Sequence, residues 1–258
     1  MSGDSAGKPA RIGHDGPVAE QTDPLGAETG TETGTEAGSE HPAWRRRTSG
    51  EERWPASLAI LVMIFLQLVL PERLSMTGRW VLPGVEVAIL AVLLVANPRK
   101  VERDSVPLRL LGLLLAAVVS LANAWSVIAL VAALTDGISG FDARSLLITG
   151  GNIWLTNVLV FAVWYWELDR GGPASRANGL DPDPDFLFPQ MTATEIGPKD
   201  WEPRFADYFY VSFTNATAFS PTDTMPLSRW AKMAMLLQAA VSLATAALVI
   251  ARAVNIFH

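Results

Sequence analysis

The residues best suited to chemistry stand together at 217–223, where the chain reads Thr-Ala-Phe-Ser-Pro-Thr-Asp. Three hydroxyl side chains, those of Thr217, Ser220 and Thr222, precede the carboxylate of Asp223. These oxygens can line a hydrated constriction. The Ser-Pro step cannot continue a helix, because proline removes a backbone donor and disfavours helix at the residue before it.

A short helix is predicted before this stretch and a long helix after it. Residues Asp207 to Ala218 can form a helix of about three turns, which is half a membrane thickness at most. Pro226 follows, and the last helix is predicted to begin near Ser228. Irregular backbone at membrane depth is tolerated only where protein or a wet cavity surrounds it, so this order predicts a re-entrant loop.

The composition predicts that the neighbouring elements are membrane helices. The chain has 258 residues, of which 50% are hydrophobic and 18% are charged. A spanning helix needs roughly 20 apolar residues. Five runs with few charges predict an all-α polytopic membrane protein with about five transmembrane helices plus one re-entrant helix: Trp54–Pro71, Trp80–Pro98, Leu110–Thr135, Ser145–Trp166 and Met233–Ala251. Whether the first run spans is left open.

Three parts follow from this pattern. Residues 1–54 are predicted to be a disordered acidic tail, because their Gly-, Glu- and Thr-rich repeat lacks an apolar face. Residues 55–144 hold the N-terminal transmembrane helices, and residues 145–258 hold the loop module. The module divides into an outer helix (145–166), an acidic loop (167–206), a short helix with the polar stretch (207–223) and an inner helix (228–254).

The module, with its stretch "NATAFSPTDTMP", resembles the pore module of tetrameric potassium channels. In that family an outer helix, a pore helix, a selectivity filter and an inner helix follow one another. Thr217 matches the pore-helix threonine, Asp223 the last filter residue and Pro226 the proline after it. Further matches are the aromatic cuff and the inner-helix hinge, at Tyr208, Phe209, Tyr210 and Ser242. The chain is also similar to a bacterial group of uncharacterised multi-pass membrane proteins, which implies no activity.

The filter departs from the family pattern T-x-G-Y-G-D. Ser220 and Thr222 replace the two glycines, and Pro221 replaces the tyrosine. Potassium filters stack backbone carbonyls around the ion, and glycine permits that backbone. We therefore expect no potassium filter of the usual form. The predicted lining of a wider, weakly cation-selective pore is Thr217, Ala218, Phe219, Ser220, Pro221, Thr222 and Asp223.

The resemblance implies an ion channel-like homotetramer in the plasma (inner) membrane, with the lipid bilayer and monovalent ions as partners. Two alternatives stay open. One is a non-conducting sensor or binding protein on a channel scaffold. The other is a proton-coupled transporter that uses Glu86, the only ionisable residue well inside a predicted span. The sides of the membrane occupied by the loop and the tail also stay open, because the basic links favour an internal tail whereas the resemblance favours an external loop.

The sequence contains few of the patterns that are typical of catalytic, cofactor-binding or metal-binding sites. His14, His41 and His258 lie in tails, and no Ser-His-Asp, Walker or dinucleotide pattern occurs. We therefore expect no enzyme activity, no cofactor, no metal and no nucleic-acid partner. A calcium site at Asp181, Asp183 and Asp185 is conceivable, but the interleaved prolines do not give an EF-hand pattern.

Polar and small residues inside the helices predict packing. Interhelical hydrogen bonds, rather than ligand contacts, are expected for Asn123, Asn152, Asn157 and Gln238. Small residues four apart in the last helix allow close approach, within one chain or between subunits: Ala240/Ala244, Ser242/Ala246 and Ala247/Ala251. The basic residues before the first helix are a topogenic anchor or a headgroup contact: Arg45, Arg46, Arg47 and Arg53.

Overall fold

The computed structural model describes residues 42–76, 78–96, 106–135, 142–181, 183–193, 200–217 and 223–256. Its α-helices are α1 (Trp54–Val69), α2 (Val81–Ala96), α3 (Val106–Thr135), α4 (Ala143–Leu168), α5 (Pro173–Asn178), α6 (Pro189–Thr192), α7 (Phe205–Thr217) and α8 (Arg229–Ile256). Short 3-10 helices lie at Ala43–Arg45, Glu72–Leu74 and Asp169–Gly171. An antiparallel pair joins β1 (Phe186–Leu187) to β2 (Met225–Pro226). The predicted all-α class is confirmed for these residues.

Three of the described helices are long and apolar enough to cross a membrane. They are α3, α4 with the short helical segments that extend it to Asn178, and α8. The helices α1 and α2 have 16 residues each. At 1.5 Å per residue each is about 24 Å long, less than the ~30 Å of hydrocarbon in a typical bilayer. Three candidate spans are therefore established, and the two further spans stay predictions.

The helix α4 lies at the centre of the bundle. It packs against α1, α3, α7 and α8. Of its most apolar window, 67% is buried inside the protein, compared with 39% for α3 and 22% for α8. Much of the apolar surface of α8 is exposed, including Leu236, Leu237 and Leu243. Such a surface suits hydrocarbon or another protein better than water.

Local sequence signals explain where several helices begin and end. Asp142 caps α4, because its side chain accepts a hydrogen bond from the backbone N of Ser145 at 3.3 Å. Proline occupies the first turn of α1 and of α5, where no intrahelical donor is needed. Gly179 ends α5 in the left-handed conformation, with φ of 64°.

The last part of the predicted tail is folded. Trp44 is buried, and the backbone N of Thr48 donates to the carbonyl of Ala177 at 2.9 Å. The predicted disorder is therefore wrong for residues 42–53, because these residues pack on α5 and on the end of α4. Residues 1–41 lie outside the described residues.

Candidate functional site

The helix α7 starts at the C-terminal end of α4 and runs back along it. Near the start of α7, the Tyr208 hydroxyl donates to Asp169 Oδ2 at 2.5 Å. One turn further on, Ser212 Oγ donates to the carbonyl of Val158 at 2.6 Å. The two helices are therefore antiparallel, and α7 ends at Thr217 beside the middle of α4 rather than at its far end.

The chain is back at the C-terminal end of α4 a few residues later. The strand β2 pairs with β1, and the backbone N of Leu227 donates to the carbonyl of Asp185 at 2.7 Å. Asp185 lies at that end of α4, because its backbone N donates to Asp169 Oδ1 at 2.8 Å. The chain thus dips along α4 to Thr217 and returns before α8 begins.

Only the two ends of the predicted pore lining fall within the described residues. Thr217 and Asp223 are both exposed. The Thr217 hydroxyl donates to the carbonyl of Phe213, one turn earlier in α7, at 2.8 Å. The remaining predicted lining residues lie outside the described residues: Ala218, Phe219, Ser220, Pro221 and Thr222.

A neutral polar network fixes α7 and α8 to α4 near its middle, and we name it the Gln238 network. Gln238 of α8 is fully buried. Its Oε1 accepts from the Tyr165 hydroxyl at 2.7 Å and from Asn215 Nδ2 at 2.8 Å. Its Nε2 donates to Ser212 Oγ at 2.6 Å. One glutamine of α8 therefore satisfies polar groups from both α4 and α7.

Two asparagines of α4 extend this pattern. Asn157 Nδ2 donates to Oγ of Ser242, the predicted hinge residue, at 2.9 Å. Ser242 is thus buried against α4 of the same chain. Asn152 Nδ2 donates to a carbonyl of α1 at 3.0 Å. The interhelical bonds predicted for Asn152, Asn157 and Gln238 are confirmed. Asn123 is buried, and its Oδ1 has no partner among the described residues.

The three residues of the predicted aromatic cuff have different surroundings. Tyr208 is fully buried and bonded to Asp169. Phe209 is half-buried and packs against Phe213, with ring centroids 6.2 Å apart. Tyr210 is 53% exposed. In a single chain, therefore, only Tyr208 is enclosed on all sides.

A charged cluster lies at the C-terminal end of α4, and we name it the Arg176 cluster. Arg176 is buried, and its Nη2 donates to Glu51 Oε1 at 2.7 Å. Trp166 Nε1 donates to the second Glu51 oxygen at 2.5 Å. Arg176 Nη1 also donates to the carbonyls of Trp166 and Asp169, at 2.7 and 2.8 Å. Burial raises the pKa of the Glu51 carboxyl, and the Arg176 guanidinium opposes that rise.

The turn that follows α4 contains a strained residue. Arg170 has φ of 53° and ψ of 37°, in the left-handed region that residues other than glycine rarely adopt. Its backbone N donates to Asp185 Oδ2 at 3.1 Å, and its Nε donates to the carbonyl of Asp181 at 2.8 Å. These bonds hold the conformation and bring the acidic loop against the end of α4.

The acidic loop contributes a hydrogen-bonding aspartate. Asp185 Oδ1 accepts from Trp230 Nε1 at 2.8 Å, which connects the loop to the start of α8. Within the described residues, no group of three His, Asp or Glu side chains could hold a metal ion. Through its bond to Trp230, the Asp185 carboxylate positions the start of α8.

Glu86 is fully buried where α2 packs on α1. Gln67 Nε2 donates to both carboxylate oxygens, each at 3.0 Å. A neutral amide supplies hydrogen bonds without a compensating charge. A carboxyl inside a membrane-spanning helix is costly and usually functional, but the span of α2 stays a prediction.

Comparison with known proteins does not identify the chain. No protein-family model, no curated protein and no solved structure matches it. The resemblance to the potassium-channel pore module therefore stays a prediction from the residues that carry it.

Sequence reasoning missed the Arg176 cluster and Arg170. Their partners come from segments read as a tail and as an acidic loop, and Glu51 and Arg176 are 125 positions apart. Two local signals were available. Trp44 is an aromatic residue in an otherwise polar tail, and Gly171-Gly172 shortly after an apolar helix predicts a tight turn.

Proposed function

We propose that the chain is an ion channel-like membrane protein whose copies surround a pore lined by residues 217–223. The path of α7 supports this proposal most directly. It runs from the end of α4 to the middle at Thr217, and the chain is back at the end before α8. With α4 across a bilayer, residues 218–222 are expected to turn at membrane depth. Irregular backbone there needs shelter from lipid, which sister subunits would supply.

The exposed faces of α7 and α8 also support assembly. Tyr210 is 53% exposed, on the side of α7 away from its buried contacts, and Phe213, which packs edge-on against Trp154 of α4, is still 41% exposed. The small residues of α8 lie on two different faces of the helix. Ser242 is buried against α4, whereas four alanines are exposed. These four are Ala240, Ala244, Ala247 and Ala251. Small residues on an exposed face allow a second copy to approach closely, and the resemblance implies four copies.

The chemistry of the lining favours hydrated monovalent cations. Hydroxyls at Thr217, Ser220 and Thr222 offer neutral oxygen ligands, and Asp223 places a negative charge at the mouth. Lacking the filter glycines, the pore is expected to keep water around the ion and to select weakly among cations.

A matched pair of threonines tests the proposal in liposomes that contain the purified full chain. Thr217 and Thr135 are both exposed, and each donates to the carbonyl four residues earlier, at 2.8 and 3.1 Å. Cation flux or selectivity is expected to change several-fold in Thr217→Ala and to be unchanged in Thr135→Ala. Equal cation flux and selectivity in the two variants would contradict the proposed pore lining. A wild-type protein that passes no ion under any gradient, voltage or pH would favour the non-conducting sensor.

A second candidate function follows from the pair of Glu86 and Gln67. A fully buried carboxyl held by one amide in the bundle is suited to carry a proton. Glu86→Gln keeps the shape of the side chain and removes the titratable group. If the chain is a proton-coupled transporter, Glu86→Gln abolishes proton-linked uptake in liposomes while Thr217→Ala has no effect. The channel proposal predicts the reverse, with the larger effect on ion transport in Thr217→Ala.

A further inference from the structure

A small cavity of about 10 Å³ lies beside the Arg176 cluster. It is bounded by residues 42–53, by the turn after α4 and by the loop before α7, and Trp44, Arg170 and Glu202 are among its lining residues. The space accommodates about one oxygen-sized group. We name it the Trp44 pocket.

Two residues that line the Trp44 pocket carry buried donors that have no partner among the described residues. They are Trp44 Nε1 and Arg170 Nη2. Trp44 is 8% exposed and Arg170 is 1% exposed. The other guanidinium nitrogens of Arg170 are already used, since Nε donates to Asp181 and Nη1 donates to the carbonyl of Trp44. Indole and guanidinium groups can only donate, so the partner they require must present lone pairs.

The charges around the Trp44 pocket are mixed. Glu51 is already paired with Arg176, at 2.7 Å. Glu202 also lines the pocket, and its carboxylate lies 3.7 Å from the Arg204 guanidinium. The guanidinium of Arg45 lies 4.7 Å from the centroid of the Trp44 ring. The unpartnered donors and Arg45 favour an anion, whereas the carboxylate of Glu202 opposes one.

We propose that the Trp44 pocket binds one oxygen of a phosphate group, with Trp44 Nε1 and Arg170 Nη2 as its donors. Its place at the end of α4 favours a phospholipid headgroup as the source, because headgroups lie where an apolar span ends. One phosphate oxygen enters the pocket, and the rest of the headgroup stays outside, near Arg45. Anionic lipids are favoured over zwitterionic ones, because Arg45 adds a positive charge at the surface.

The first test compares wild type with Trp44→Phe, using the full chain in neutral detergent. Phosphatidylglycerol is titrated, with diacylglycerol as a control that lacks phosphate, and the thermal unfolding midpoint is followed. Phosphatidylglycerol is expected to raise the midpoint of wild type, and Trp44→Phe to need about ten times more lipid for the same shift. Without lipid the two midpoints are expected to agree within a few degrees, because the indole N–H has no intramolecular bond to lose.

A second variant is expected to act in the opposite direction. Glu202→Gln removes the negative charge from the pocket wall without changing its shape, so phosphatidylglycerol should bind several-fold more tightly. Glycerol 1-phosphate separates the two sources of phosphate. A shift that glycerol 1-phosphate reproduces in wild type but not in Trp44→Phe assigns the pocket to a free phosphate, and a shift seen only with the lipid assigns it to the headgroup. Equal lipid responses of wild type, Trp44→Phe and Glu202→Gln would overturn the proposal and leave a bound water as the occupant.

Discussion

The Arg176 cluster and the Gln238 network both hold α7 against α4, but with different chemistry. At the end of α4, the Arg176 guanidinium lies over the Tyr208 ring of α7, 5.0 Å from its centroid, and the Tyr208 hydroxyl donates to Asp169. In the middle, Ser212 of α7 bonds to Val158 and Gln238. Asn157 and Asp169 are about 18 Å apart along a helix that rises 1.5 Å per residue. Over that distance the buried polar groups that join α4 to α7 and α8 change from ions to neutral amides and hydroxyls.

This difference is the one expected if the two regions lie at different depths in a membrane. A charged side chain at the centre of a bilayer costs at least about 2.5 kcal/mol, and a neutral interhelical hydrogen bond contributes about 0.6 kcal/mol. Ions are therefore tolerated near headgroups and water, whereas amides and hydroxyls suffice inside. The pattern along α4 agrees with a helix whose C-terminal end lies at an interface and whose middle, beside Thr217, lies in hydrocarbon.

The comparison predicts that breaking the charged cluster costs the most. Arg176→Met leaves the Glu51 carboxylate buried without its cation and removes the donor to the carbonyls of Trp166 and Asp169. The free energy of unfolding should fall by about 3–5 kcal/mol. Chemical unfolding in detergent micelles measures the change.

The double variant Glu51→Leu/Arg176→Met is the control for this prediction. With both charges removed, much of the lost stability should return, because the isolated carboxylate caused most of the cost. A loss below about 1 kcal/mol for Arg176→Met alone would mean that the cluster is solvated, and depth could no longer be inferred from its charge.

Breaking the neutral network should cost less. Gln238→Leu removes the three side-chain partners Tyr165, Asn215 and Ser212. At about 0.6 kcal/mol per bond in a membrane protein, stability is expected to fall by about 2 kcal/mol. The exposed neighbour Leu237 supplies the control, since Leu237→Ala should change little in the same unfolding measurement. A loss for Gln238→Leu that matches Arg176→Met would contradict the depth difference.

The sequence predicts one of these two regions better than the other. Asn157 and Gln238 lie inside apolar runs, where a neutral polar residue has few partners except another helix, so their bonds are predictable. Arg176 and Glu51 lie in polar segments, where charged residues usually face water. Their pairing depends on how residues 42–53 fold back on α5, and no local pattern encodes a contact between such distant positions. The positions of the helices could be predicted from the lengths of the apolar runs, whereas the folding of the end of the tail could not be predicted from any local pattern.

A third region, towards the other end of α4, is apolar and tests close packing instead of polar bonds. A Cβ atom on Gly150 would lie 2.5 Å from Val249 Cγ2 of α8, whereas nothing lies within 4 Å of the same position on Gly151. Gly150→Ala combines an overpacking cost of about 1–3 kcal/mol with a helix-propensity gain of about 1 kcal/mol. We expect a net loss of about 1 kcal/mol.

Gly151→Ala is the matched control, and its stability should stay the same or rise slightly because only the propensity gain applies. Adding Val249→Ala to Gly150→Ala removes the clashing methyl groups and tests the same contact between α4 and α8. Equal effects of the two glycine substitutions in thermal unfolding would show that α8 does not approach α4 as closely as the structure indicates.

The smallest effect is expected at the N-terminal end of α4, where Asp142 is exposed and still charged. Hydrogen bonds from the side chain and backbone of Ser145 hold the pKa of the Asp142 carboxyl below its ordinary value. A lowered pKa means that the fold prefers the carboxylate, so its stabilising effect is present above the ordinary pKa and is lost as the pH falls through the folded value.

Asp142→Asn can still cap the helix but does not titrate. The difference in thermal midpoint between wild type and Asp142→Asn should therefore be constant near pH 6 and should shift against wild type towards about pH 3. Buried groups such as Glu51 are present in both proteins, so their effect on the thermal midpoint cancels in that difference. A difference in thermal midpoint that stays constant over this range would mean that the charge of Asp142 does not stabilise the cap. Of the two ends of α4, only the end at the Arg176 cluster would then be stabilised by charge.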